Sequence, residues 1–225
     1  MLCRRYIFKV SMYMLNKIIP IDLISESLGK EIDSIELSID SIREIQELTP
    51  NTCSQIGMNV WDNIIYKKLH NVQPRAIASY INNPKLHMRV GSIIGETVIK
   101  DIYYARGNVD DNLDDTQVFE FMVAHVYPND LYLADILMQN PYSPIDKNDI
   151  KFELKKYHGF NLLPLIMKQL NNTAKELGCN KVSLTASSLD QVPLFKKYGF
   201  KVRGSESGKL ALKYGLGIPM DKVVK

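Results

Sequence analysis

The chain has 225 residues, is 45% apolar and 24% charged, and carries a net charge of +3. That length suits one substantial core, and the charge is too small to argue by itself for nucleic acid or a membrane surface. Cys3, Cys53 and Cys179 lie far apart with no CxxC, which argues against a disulfide framework and for a reducing, cytoplasmic setting.

The four histidines are scattered, so no metal site is read from spacing. Two arginines precede an apolar run at the N-terminus, as in a secretory leader. Lys9 interrupts the run, Lys17 follows soon after and no small-residue cleavage site appears, so it is read as a poorly patterned arm over 1–32. No stretch approaches the ~20 apolar residues a membrane span needs.

The main domain is expected over 33–225. Ser34 to Ile39 alternates and reads as a strand. A helix over Ile42 to Leu48 follows, capped by Asp40 or Ser41, and Ser54 to Leu69 is a second helical candidate. Pro74 can open a short helix through Ile81. Leu86 to Ile94 and Thr97 to Ala105 read as a hairpin around Gly95-Glu96.

Asp110 to Asp115 is an acidic loop. Gln117 to Tyr127 and Leu131 to Met138 are strong strands, joined by Pro128-Asn129-Asp130. Gln139 to His158 reads as a long loop. Asn161 opens a helix to Leu177 with Leu163, Ile166, Met167, Leu170, Ala174 and Leu177 on one face. Lys181 to Ala186 is a strand, Gln191 to Tyr198 a short helix, and Phe200 to Arg203 with Lys209 to Tyr214 a final strand pair. The whole predicts an α+β mixed sheet with helices on its faces.

The stretch from Leu131 to Phe200 points to chemistry. Gly159 lets the backbone approach an anion with no Cβ in the way. The helix that follows offers free N–H groups and partial positive charge. Lys155, Lys156 and His158 can add charge, although Asn161 could equally be a plain N-cap. Asp135 shares a strand face with Leu131, Leu133 and Leu137, where a carboxylate is out of place. Glu120 interrupts Val118-Phe119-Glu120-Phe121 in the same way.

In this order the block resembles the GNAT N-acetyltransferase superfamily. Leu133 to Pro141 looks like the family's splayed fourth strand. Lys156-x-x-Gly159-x-Asn161 takes the place of its pyrophosphate loop, and Leu163 to Gly178 that of its helix. Lys181 to Ser187 takes the fifth strand, and Phe195-Lys196-Lys197-Tyr198-Gly199-Phe200 the closing motif. The resemblance covers roughly Asp33 to Tyr214 and implies a GNAT-like splayed sheet.

There are departures from the family pattern. Lys156 stands for arginine or glutamine, Asn161 for a small residue, and Phe195 for a tyrosine that often acts as general acid. An insertion of about fifteen residues separates strand from loop.

The resemblance implies an N-acyltransferase that moves an acetyl group from acetyl-CoA to a primary amine by direct attack. Backbone N–H groups near Leu137 and Met138 would polarise the thioester carbonyl. Cofactor-side residues would be Leu137, Met138, Lys156, Tyr157, His158, Gly159, Phe160, Asn161, Leu162, Ser188 and Phe195.

Asp135 is the first candidate base and Glu120 the second; Tyr198, then Tyr142, are candidate acids. His125 reads as a strand-end residue. The expected partner is an amine-bearing small molecule or protein, with nucleic acid entering only as aminoacyl-tRNA; the chain could also pair as a homodimer. The rival reading is a GNAT-fold module that binds acyl-CoA or a protein without catalysis, which Phe195 and the altered loop favour.

Overall fold

The computed structural model describes residues 17–39, 52–60, 93–95, 97–113, 115–146, 148–149 and 156–225. Helix α1 (Ile21–Leu28) precedes β1 (Asp33–Ile39) and α2 (Thr52–Val60). Three long strands follow: β2 (Ile99–Asn108), β3 (Gln117–Val126) and β4 (Asp130–Met138). Then come α3 (Leu163–Glu176), β5 (Lys181–Ser188), α4 (Gln191–Lys197), β6 (Lys201–Val202), α5 (Glu206–Tyr214) and β7 (Leu216–Val223).

The strands form one seven-stranded sheet in the order β1-β2-β3-β4-β5-β7-β6. The sheet is mixed, as the sequence predicts: β4 runs parallel to β5, while β7 is antiparallel to both β5 and β6. The parallel register pairs Asp130 through Leu133 with Lys181 through Leu184 and stops there. The remainder of β4, Ala134 to Met138, runs on past the end of that ladder, and burial along the strand gives way at the same point.

Two compact units divide the chain. The first comprises Met1–Ser38, Tyr103–Val123 and Asp135–Leu177; the second comprises Ile39–Ile102, Ala124–Ala134 and Gly178–Lys225. In the first, Ile18, Ile19 and Ile24 are buried together with Phe119, Phe121 and Met122. Each such side chain contributes about 1.5–3 kcal/mol by leaving water. Helix α3 buries Ile166, Met167, Leu170, Thr173 and Ala174, the stripe that a 3.6-residue period dictates.

The second unit buries an arginine. Arg203 is 6% exposed, and its guanidinium grips both oxygens of Asp221, at 2.8 and 3.0 Å, and the side-chain oxygen of Asn59 at 2.8 Å. Ser183 also donates to Asp221, at 2.9 Å, and Lys181 stands 3.4 Å away. Burial alone would raise the Asp221 pKa, but the bonds and charge of Arg203 prevail and hold it below the usual carboxylate range.

Three readings of the sequence are corrected. The arm before Asp33 contains α1, closed by Gly29 in the left-handed conformation. The proposed hairpin turn at Gly95 is helical at Ile93–Gly95, and β2 starts only at Ile99. Lys209 to Tyr214 is helix, not strand. Ser205 caps it by accepting from the Gly208 N–H at 3.1 Å, and Gly215 ends it at φ 75°. These end signals outweigh the alternating Lys-Leu-Ala-Leu-Lys pattern.

The expected helices over 42–48 and 74–81, the far end of the one over 54–69, and the expected strand over 86–92 lie outside the described residues. Among the described residues no helix is long and apolar enough to cross a membrane.

Candidate active site

The end of β4 is firmly anchored. The Gln139 N–H donates to the Val118 carbonyl at 2.9 Å. Its buried side chain donates to the Asp115 carboxylate at 2.8 Å and to the Gln117 carbonyl at 3.0 Å. The insertion then leaves and comes back through a neck of backbone bonds. Asn140 N–H donates to the His158 carbonyl at 2.7 Å, His158 N–H to Ser143 at 2.9 Å, and Ile145 N–H to Lys156 at 2.8 Å. Pro144 and Tyr157 form the antiparallel bridge between the two arms.

This neck delivers Gly159 back to the end of β4. A Cβ on Gly159 would stand 3.2 Å from the Met138 carbonyl oxygen, tighter than a side chain ordinarily sits. Asn161 does not cap α3 as the sequence suggests; it takes the left-handed conformation at φ 57°. Asparagine is among the few non-glycine residues that tolerate it.

Leu162 is the N-cap residue, and no side chain caps the helix there. Ile166 N–H closes the first helical bond, onto Leu162, at 3.0 Å. The N–H groups ahead of it point out of the helix end, Pro164 having none to offer. Lys156, His158, Gly159 and Asn161 are exposed, while Tyr157, Phe160 and Leu162 are half-buried. A close backbone turn ahead of an uncapped 14-residue helix fits the phosphates of an anionic ligand.

Asp135 and Glu120 fall in the same unit and interact. Asp135 is open to solvent at its side chain, yet enough protein surrounds it that lost hydration, then the Glu120 charge, raises its pKa; a bond from the Ile136 N–H opposes the shift. Glu120 accepts from the Gln117 side chain at 2.6 Å and from the Tyr104 hydroxyl at 3.3 Å. Burial and the Glu120 charge raise the Tyr104 pKa in turn. The sequence reading missed Tyr104, Gln117 and Gln139. The available signal was Gln117-x-x-Glu120, two polar side chains in the first half of a strand that is apolar from Phe121 to Ala124.

The other candidates lie elsewhere. Leu137 is half-buried in the last turns of β4. Tyr142 is exposed and donates its hydroxyl to Asp111 at 2.8 Å. Lys30 pairs with the same carboxylate and lies 4.8 Å from the Tyr142 ring centre. The Lys30 bond, followed by that from Tyr142, holds Asp111 at a pKa of about 2.

Tyr198, Phe195 and Ser188 belong to the second unit. Tyr198 is the half-buried C-cap residue of α4. Phe195 is buried with its ring edge-on to Phe200, 6.1 Å between centres. Ser188 pairs with Leu216 on β7.

His125 has a structural setting. The Asn129 amide donates to the Gly178 carbonyl at 2.6 Å, so its oxygen faces the His125 Nε2, also at 2.6 Å. Nδ1 faces Asp101 at 3.6 Å. Both ring nitrogens therefore meet acceptors, which calls for the imidazolium. Asp101 first, then Cys179, act against a burial penalty and with help from Asn129 to push its pKa up to about 10. Among the described residues no cluster of three or more His, Cys, Asp or Glu is placed to hold a metal.

Solved acetyltransferases overlap loosely with this chain. The acetyltransferase of GNAT family from Staphylococcus aureus Mu50 is 11% identical over 86% of this chain and 99% of its own, with a TM-score of 0.34. The PaiA N-acetyltransferase from Thermoplasma acidophilum, solved in complex with coenzyme A, is 16% identical over 86% and 99%, with a TM-score of 0.34. Nourseothricin acetyltransferase is 16% identical over 56% of this chain and 67% of its own, with a TM-score of 0.34. No family model and no curated protein sequence matches the chain.

Proposed function

We propose that this chain is an acyl-CoA-dependent N-acyltransferase that moves an acetyl group from acetyl-CoA to a primary amine. The observation that carries the reading is the return of Gly159 to Met138 ahead of the uncapped end of α3. The return of Gly159 to Met138 despite the insertion supports a phosphate role for this loop. The exposed Lys156 and His158 would add positive charge to the same turn.

Backbone alternation supports Met138 as the donor. The Gln139 N–H points toward β3, so the N–H and carbonyl of Met138 point the other way, consistent with the Met138 oxygen facing Gly159. Met138 rather than Leu137 would then polarise the thioester carbonyl. Asp135 takes one proton from the substrate ammonium. The freed nitrogen lone pair forms the new N–C bond as the C–S bond breaks, that bond's electron pair leaves with sulfur as the CoA thiolate, and the second proton of the acylated nitrogen passes to that thiolate, giving the neutral amide and CoA thiol. The acceptor is a primary amine on a small molecule or a protein.

A second reading keeps acyl-CoA binding without turnover; the burial of Phe195 against Phe200, at the position of the family's tyrosine, favours it. One experiment separates the two. Acetyl-CoA at 100 times its Kd should stabilise the chain by about 2.7 kcal/mol, and thiol release should then follow with members of an amine library. Stabilisation without thiol release supports the binding module. No stabilisation by acetyl-CoA or CoA rejects both.

A further inference from the structure

Glu120 is gripped at both oxygens, and both grips are neutral: the Gln117 amide at 2.6 Å on one and the Tyr104 hydroxyl at 3.3 Å on the other. Gln117 is itself fixed from behind. Its N–H donates to Asp115 at 3.0 Å, and its carbonyl accepts from Gln139, whose amide also holds Asp115. Gln139 is 5% exposed, so the chain of bonds starts in the interior and ends at the Glu120 carboxylate.

A cation in either position would cancel the charge of Glu120; an amide and a hydroxyl orient it and leave it intact. β3 and β4 are neighbours in the sheet, and the Glu120 charge acts on the Asp135 carboxyl. Among the described residues, the titratable and charged groups around this point are Tyr104 and Arg106 from β2, Glu120 from β3 and Asp135 from β4.

We propose that Gln117 and Tyr104 are positioning residues that hold the Glu120 carboxylate beside Asp135, making Asp135 the proton acceptor and Glu120 its fixed anionic companion. This rests on the acyltransferase reading for the source of the proton, the substrate ammonium. The ammonium N–H bond breaks, its electron pair stays on nitrogen, and the proton goes to an Asp135 oxygen. The repulsion from Glu120 makes Asp135 hold that proton more tightly.

The test is a carbon-13 NMR titration of the Asp135 carboxyl in the full chain without acyl-CoA. Glu120→Gln should lower its midpoint by about half a pH unit or more. Gln117→Met and Tyr104→Phe, each freeing one oxygen of Glu120, should each produce part of that fall in folded protein. An unchanged midpoint in Glu120→Gln overturns the proposal, and so does an unchanged midpoint in the folded positioning variants. If Gln117→Met does not fold, Tyr104→Phe decides alone. Absence of thiol release with every amine would instead reject the acyltransferase reading, and the titration would remain readable. With turnover, the acidic limb of kcat/KM should move down with the Asp135 midpoint.

Discussion

Gly159 closes on the carbonyl oxygen of Met138 although an insertion lies between the two residues in the chain. At 3.2 Å any Cβ would press on backbone, which cannot rotate aside as a side-chain tip can. Gly159→Ala should weaken acetyl-CoA binding about tenfold and Gly159→Val more, with modest loss of stability, since the turn is exposed. Calorimetric titration of the ligand beside a urea denaturation of each variant checks both parts.

Asp135→Asn should lower the rate of thiol release about 100-fold and remove the acidic limb of the pH–rate profile. Stability should move the other way. The Asp135 pKa is raised in the folded state, so its ionisation opposes folding increasingly as pH climbs from the ordinary carboxylate value through the raised one. At neutral pH the amide variant should therefore unfold at a higher urea midpoint than the parent chain. A lower midpoint contradicts the prediction.

The His125 pKa is also raised, so its stability contribution likewise falls as pH rises, but here folding favours the charged form. Its folded pKa of about 10 exceeds the ordinary 6.5, so its contribution is complete below pH 6.5 and is lost as pH rises through 10. Urea midpoints at pH 6 and pH 10 should fall less for His125→Gln than for the parent chain. Equal falls would show that the imidazolium is not held as the Asn129 bond and the nearby Asp101 charge indicate.

Arg203→Met should destabilise by about 2–3 kcal/mol, because it strips the strongest partner from the partly buried Asp221. Lys181 and Ser183 remain to Asp221, which keeps the loss from being larger. Chemical denaturation provides the measurement, and acetyl-CoA affinity measured well below the unfolding range should be unchanged.

Tyr142→Phe should leave the rate unchanged within about twofold. The Tyr142 hydroxyl is committed to Asp111, and Lys30 covers the ring, so it is poorly disposed to protonate a departing thiolate. A rate loss of tenfold or more would restore it as the acid.

The strands and helix around the site were legible because their physical signals were strong. β3 and β4 are apolar runs with one or two polar interruptions, and α3 carries a clean 3.6-residue stripe. The C-terminal elements were misread because Lys-Leu-Ala-Leu-Lys suits either period, whereas the real strand β7 carries Gly217 and Pro219, which read as breakers. Pro219 nonetheless sits opposite Thr185 in the ladder, and its carbonyl accepts from the Arg203 N–H at 2.9 Å.

Asp135 and Glu120 were visible as carboxylates out of pattern. The neutral grip on Glu120 was not, because it depends on Tyr104, remote in sequence, and on Gln139 fixing Gln117 from the next strand. Side chains that meet only through sheet pairing leave no spacing signature.

The neck formed by Asn140, Ser143 and Ile145 with Lys156 and His158 makes the insertion a plug-in segment. Its two ends are already joined before its tip begins, and lengthening a closed loop costs little, about 0.6 kcal/mol per doubling. Evolution, or an engineer, can therefore rewrite everything beyond that junction without reopening the turn at Gly159. The same junction is the natural place to graft an acceptor-recognition loop or a fluorescent reporter.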